Sequence, residues 1–187
     1  MPGITQIEID QRVYDLYDEY CHGRIDRREF LSRAASIAVI GGTGLDQPKL
    51  RTDLLNSAQF LKAHQLSTRK LGVTGFCFGG GIVNFLAAAM GADMHAGAPY
   101  YGVAADAASV SKVKAPLVCH RAENDERINA TYPAYSAALK TAGVAHEVHT
   151  YPGTQHGFHN NSTPRFNEPA AKLSWERTIA HFKKHLG

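Results

Sequence analysis

A cysteine held between glycines is the residue of this chain best placed to attack an electrophile. Gly75-Phe76-Cys77-Phe78-Gly79 has the G-x-S-x-G form of a nucleophile elbow, with a thiol where serine more often sits. An elbow needs a strand before it and a helix after it. Lys70 to Thr74 is short and β-leaning, and Ile82 to Met90 is apolar and helix-leaning. The nucleophile of such a turn is strained, so the residues two places to either side must be small. Gly75 and Gly79 are expected to meet that need, with Gly80 and Gly81 letting the helix start close to the sheet.

Two further segments complete a chemical set. Glu123-Asn124-Asp125-Glu126-Arg127 follows an apolar run ending at His120, and Gln155-His156-Gly157-Phe158 follows one ending at Tyr151. Nucleophile, acid, histidine is the order in which one class of hydrolytic triad runs along its chain. A free thiol, with a pKa of about 8.5, is only partly ionised at neutral pH, and a neighbouring imidazole raises its thiolate fraction. That imidazole needs a carboxylate to fix its tautomer and stabilise its charge. Singly, each residue has a plainer reading: Cys77 as a small buried residue, Asp125 as a turn residue or helix cap, His156 as a satisfied loop histidine. In this order, each just after a strand, they read together as a triad of Cys77, Asp125 and His156. The backbone N–H of Phe78 is the expected oxyanion donor. Tyr100-Tyr101-Gly102 ends another strand at the same edge, so Tyr100 or Tyr101 is expected to line a pocket.

The elements that must position these groups alternate. Helical spacing is read over 7–20 and 26–39, followed by a glycine- and proline-containing break over 43–50. From Thr52 the pattern predicts a helix over 52–64 and strands over 70–76, 96–101, 116–120 and 146–151. Further helices are predicted up to Met90, over 132–141 and over 169–186. Alternating strands and helices imply an α/β fold with a mostly parallel sheet flanked by helices.

Composition narrows the function. A net charge of +3, with lysines and arginines scattered, gives no electrostatic footprint for nucleic acid. No apolar run approaches the ~18 residues of a membrane span. Cys21, Cys77 and Cys119 form neither a disulfide framework nor a zinc pattern. The pairs His156/His159 and His181/His185 gain no further ligand at a useful spacing, so neither a metal nor a cofactor is expected. The glycines at 75, 79, 80 and 81 do not make a dinucleotide or phosphate loop. Free thiols favour a cytoplasmic location. The alternative is the periplasm, through a twin-arginine-like signal at Arg27-Arg28, although Asp26 and Glu29 also read as a helix capping box.

These landmarks together resemble the dienelactone hydrolase family. The resemblance rests on Gly75 to Gly80, Tyr100-Tyr101-Gly102, the segment around Asp125, His156-Gly157-Phe158 and the closing helix from Trp175 to Phe182, and it runs from Thr52 to the C-terminus. It implies an α/β-hydrolase sheet in which Cys77 is the nucleophile, His156 the base and Asp125 its orienting acid. The implied reaction is hydrolysis of a small-molecule ester or enol-lactone through an acyl-cysteine, with no cofactor. The family's early strands, its loop carrying the second oxyanion donor, and a glutamate against the resting thiol have no counterpart. The arginine that binds the substrate carboxylate is replaced near Asn160, which leaves Arg127 and Arg165 as candidates for that role. The expectation is a leader-like helical segment at 1–48 joined to the C-terminal portion of a hydrolase domain at 49–187, through an internal deletion. An alternative follows from the same gap: a truncated, catalytically impaired remnant or interaction protein that self-associates through an exposed sheet edge.

Overall fold

The computed structural model describes residues 46–187 together with Glu19 and Arg24. The helices expected over 7–20 and 26–39 lie outside the described residues apart from Glu19, as does the Arg27-Arg28 motif. The chain divides into the units Met1–Leu50 and Arg51–Gly187. The second unit carries the sheet.

Helix α1 spans Gln47–Ala63 and so begins inside the expected break. The Asp46 carboxylate accepts the Lys49 N–H at 3.2 Å, and Pro48 falls in the first turn, where its missing N–H removes no helical hydrogen bond. Four strands follow: β1 Gly72–Phe76, β2 Ala96–Tyr100, β3 Leu117–Asn124 and β4 His146–Gln155. They form one parallel sheet in the order β1-β2-β3-β4. Parallel neighbours need crossovers long enough to return the chain to the same end. Helix α2 (Phe78–Met90) makes the first crossover, and a 3-10 segment over Ala107–Lys112 lies in the second. Short α3 (Glu126–Asn129) and α4 (Tyr132–Thr141) make the third. Helix α5 (Glu168–Leu186) follows β4, its N-terminus capped by the Asn167 side chain, which accepts the Ala170 N–H at 3.1 Å.

Both faces of the sheet carry packed side chains. One core joins Val83, Leu86 and Ala87 of α2 to Val110, Val113, Leu117 and Leu139. Helix α1 adds Leu54, Leu55 and Ala58 and leaves Phe60 and Leu61 exposed. A second core holds Tyr100, Tyr101, Ala122, Tyr151, Phe158 and Ala170. Its polar atoms are closed by a buried network. His120 bonds the Tyr151 hydroxyl through Nδ1 (2.8 Å) and the Thr178 hydroxyl through Nε2 (2.9 Å), and Tyr100 Oη bonds the same Thr178 oxygen at 2.7 Å. Burial, with His149 and Arg177 adding to it, pushes the His120 pKa down to about 3, so the ring is neutral. Among the described residues no helix is long and apolar enough to cross a membrane.

Candidate active site

Cys77 stands between β1 and α2 with φ 55° and ψ −118°, in the region that L-residues with a side chain avoid. Such a conformation costs on the order of 1–3 kcal/mol and persists only where the surroundings enforce it. Here the Cys77 N–H donates to the Tyr100 carbonyl at 3.1 Å, and the Cys77 carbonyl accepts the Gly81 N–H at 3.3 Å. The glycines matter unequally. A Cβ on Gly75 would press into the Gly79 backbone, with the carbonyl carbon 2.5 Å away. A Cβ on Gly80 would run into the Tyr100 carbonyl and lie 3.0 Å from the Cα and N of Gly102. Gly79, expected to be small by necessity, has open space around its Cβ position, and Gly81 would make only ordinary contacts. The steric demand therefore falls on Gly75, against the Gly79 backbone, and on Gly80, where α2 touches the end of β2.

Strands β3 and β4 bring the other two groups. Their pairing continues past the apolar runs read from the sequence, through an irregularity between Ala122 and Asn124. Asp125 thus follows the last residue of β3, and His156 follows the last of β4. Asp125 occupies the N-cap position of α3, but its carboxylate makes no cap hydrogen bond. Instead Oδ2 accepts from His156 Nδ1 at 2.6 Å. His156 and Gly157 form the centre of a tight turn closed by the Phe158 N–H to the Gln155 carbonyl (3.0 Å), with Gly157 at φ +86°. Buried Phe158 anchors the far side of that turn. Because Nδ1 is engaged by the carboxylate, Nε2 is the nitrogen left to exchange a proton.

Cys77, Phe78, Tyr101, Arg127 and His156 line one cavity of about 820 Å³. Cys77 itself is exposed to solvent, unlike Cys119, which is buried. Desolvation still raises the Cys77 thiol pKa, Arg165 and then Arg127 oppose that rise, and Asp125 adds to it. Arg165 lies over the histidine turn, its guanidinium about 3.8 Å from where a Cβ on Gly157 would be. The Tyr101 ring lies 5.0 Å from the His156 ring, and Tyr101 reaches this place through a positive φ of 34°. Its phenol is pushed well above the ordinary range by burial.

Of the two tyrosines expected as pocket residues, Tyr101 lines the cavity and Tyr100 does not. Tyr100 is the last residue of β2, and its ring belongs to the buried His120–Thr178 network. The two rings meet edge-on with 6.1 Å between centroids, and only that of Tyr101 reaches the cavity. The sequence reading also missed the cavity wall contributed by α2 beyond the elbow. Gly81, Phe85 and Ala88 recur at helical spacing on one side, a pattern that a helix face packed in a core also shows. Among the described residues no group of three or more His, Cys, Asp or Glu side chains is arranged to hold a metal.

A parallel sheet with an elbow after one strand, and an acid and a histidine after two later ones, defines an α/β-hydrolase type of fold. Residues 25–186 match the model of the dienelactone hydrolase family, and the chain belongs to that family. A second model, described as YqhI-like, matches residues 1–38. Protein usf of Aquifex pyrophilus is 31% identical over 158 residues, which cover 75% of this chain and 68% of that protein. An Azospirillum brasilense protein named "Putative carboxymethylenebutenolidase" is 37% identical over 100 residues, 51% of this chain and 42% of its own length. The crystal structure titled "Putative Dienelactone Hydrolase" from Klebsiella pneumoniae superposes with a TM-score of 0.64 at 25% identity, covering 72% of this chain and 60% of that one. The chain thus spans less than two thirds of the latter two proteins.

Proposed function

We propose that this protein hydrolyses a carboxylic ester or lactone through an acyl-cysteine, with Cys77 as nucleophile, His156 as general base and Asp125 as its orienting acid. The observation that carries the reading is the 2.6 Å bond from His156 Nδ1 to Asp125, on a histidine that shares its cavity with the strained Cys77. His156 Nε2 takes the thiol proton as Sγ attacks the carbonyl carbon. The oxyanion that forms faces the backbone N–H of Phe78, a first-turn amide with no carbonyl one turn back to bond. Collapse breaks the ester C–O bond, and the leaving oxygen takes the proton from His156. Water, deprotonated by the same imidazole, then attacks the acyl carbon, releasing the carboxylic acid and returning the thiol. Tyr101 and Arg127 line the substrate side, where the guanidinium favours an anionic group on the substrate. Steady-state hydrolysis of 4-nitrophenyl acetate by wild type and Cys77→Ala tests the reading: turnover is expected to vanish in the variant, and equal turnover would overturn it.

A second reading rests on β1. Among the described residues that strand pairs with β2 alone, and its other edge has no strand partner among them. On this reading the chain self-associates through β1. Light scattering after gel filtration checks it: mass rising with concentration supports it, and a constant monomer mass rules it out.

A further inference from the structure

The cavity at Cys77 extends well beyond the reach of a small lactone ring. Phe78, Gly81, Ile82, Phe85, Ala88 and Ala89 form a continuous stripe on α2 that lines it from the elbow towards the helix C-terminus. From Phe78 to Ala89 the helix rises about 16 Å. The facing wall runs alongside. Val103 lies 3.7 Å from the Cβ position of Gly81 and accepts the Asn84 side-chain amide at 2.9 Å. Further on, the Lys112 carbonyl lies 3.2 Å from the Cβ position of Gly91, just past the end of α2. Cys77 and His156 thus share a trough floored by small and apolar residues, which Arg51, Asp106, Ser109 and Lys112 also line. Its volume of about 820 Å³ is towards the upper end of the roughly 300–1,000 Å³ typical of small-molecule sites.

We infer that this trough binds an extended aliphatic acyl chain, so that the substrate is an ester of a medium- to long-chain acid rather than a compact lactone. The inference rests on the assignment of Cys77 as nucleophile. The acyl group stays on Sγ after the alcohol leaves, and the residue bearing that sulfur lines the trough. Each methylene drawn from water onto this apolar floor favours binding. The glycine and alanines of the stripe leave the depth that a chain occupies. Ala89 is exposed on that floor, so a larger side chain there fills the trough without entering the core behind α2.

The test has two arms. In the first, 4-nitrophenyl esters from acetate to decanoate are compared in wild type, Ala89→Trp and Val103→Trp. The decanoate-to-acetate ratio of kcat/KM is expected to exceed about tenfold in wild type, from up to roughly fourfold per methylene. That ratio should fall at least about tenfold in either tryptophan variant. Turnover with no dependence on chain length overturns the inference and leaves the cysteine mechanism standing. In the second arm, binding of decanoate and of butyrate to Cys77→Ala is measured by calorimetry, with no turnover required. Tighter decanoate binding that Ala89→Trp weakens supports the trough even if no ester is hydrolysed. Equal affinity for the two acids overturns it.

Discussion

Adding one methyl group at adjacent glycines of the elbow should have opposite outcomes. In Gly80→Ala the new Cβ meets the Tyr100 carbonyl and sits 3.0 Å from Gly102 Cα and N. Carbon contacts are comfortable at about 3.5–4.0 Å, so α2 must withdraw from β2 by roughly 0.5–1 Å. What it presses on is backbone, not the end of a flexible side chain. The cost should therefore reach the upper part of the range of about 1–3 kcal/mol for overpacking. The same carbonyl accepts the Cys77 N–H, so the shift also loosens the φ that presents the thiol. In Gly79→Ala the Cβ enters open space within the first turn of α2. Replacing glycine there should be neutral or stabilise by up to about 1 kcal/mol. Urea unfolding followed by circular dichroism should separate the two variants by about 2–4 kcal/mol, with a lower melting temperature and reduced Cys77-dependent turnover for Gly80→Ala only. Equal destabilisation by both substitutions, or a Gly80→Ala protein indistinguishable from wild type, would refute the steric account of the elbow.

Other consequences concern charge. Asp125→Asn keeps the size of the side chain but no longer holds His156 in one tautomer, and kcat should drop by about 10²–10⁴ while the fold is retained. Unchanged kcat would remove Asp125 from the proposal. Arg165 opposes the burial that raises the Cys77 thiol. Arg165→Gln should therefore slow alkylation by iodoacetamide at neutral pH by about threefold, the size expected of an exposed cation. Alkylation at an unchanged or faster rate contradicts this. His120, held neutral with its pKa lowered to about 3, contributes stability that is complete above its unfolded value and is lost as pH falls from there towards about 3. Urea midpoints measured from neutral to acid pH should show up to about 1.4 kcal/mol lost per pH unit from this group. His120→Gln should have a shallower slope, and an equal slope would place the acid sensitivity elsewhere.

The elbow, the helix behind it and the order of acid and histidine were legible because each depends on local pattern. Small residues, an apolar run and strand-ending positions all lie within a few residues of one another. The ends of β3 and β4 were not. Arg121 to Asn124 and Pro152 to Gln155 lack an apolar signature, and Pro152-Gly153 reads as a break. The structure continues both strands through mutual pairing, and the Gly153 N–H donates to Glu123 Oε2 at 2.8 Å. That extension sets Asp125 and His156 side by side. The partners of His120 were hidden for a related reason. Its run, Leu117 to His120, shows burial, but nothing local points to Tyr151 or to Thr178, which lies 58 residues further on. Tyr100 and Tyr101 look equivalent as neighbours, and both rings are buried in one core, but only Tyr101, at a positive φ, also lines the cavity.

Hydrolysis through an acyl-cysteine requires that an acyl group pass through Cys77. Acid-quenching the protein during hydrolysis of a 4-nitrophenyl ester, followed by peptide mass spectrometry, tests it most directly. The acyl mass is expected on the peptide containing Cys77, with neither adduct nor turnover in Cys77→Ala. An acyl group on another residue, or undiminished turnover without the thiol, would contradict it.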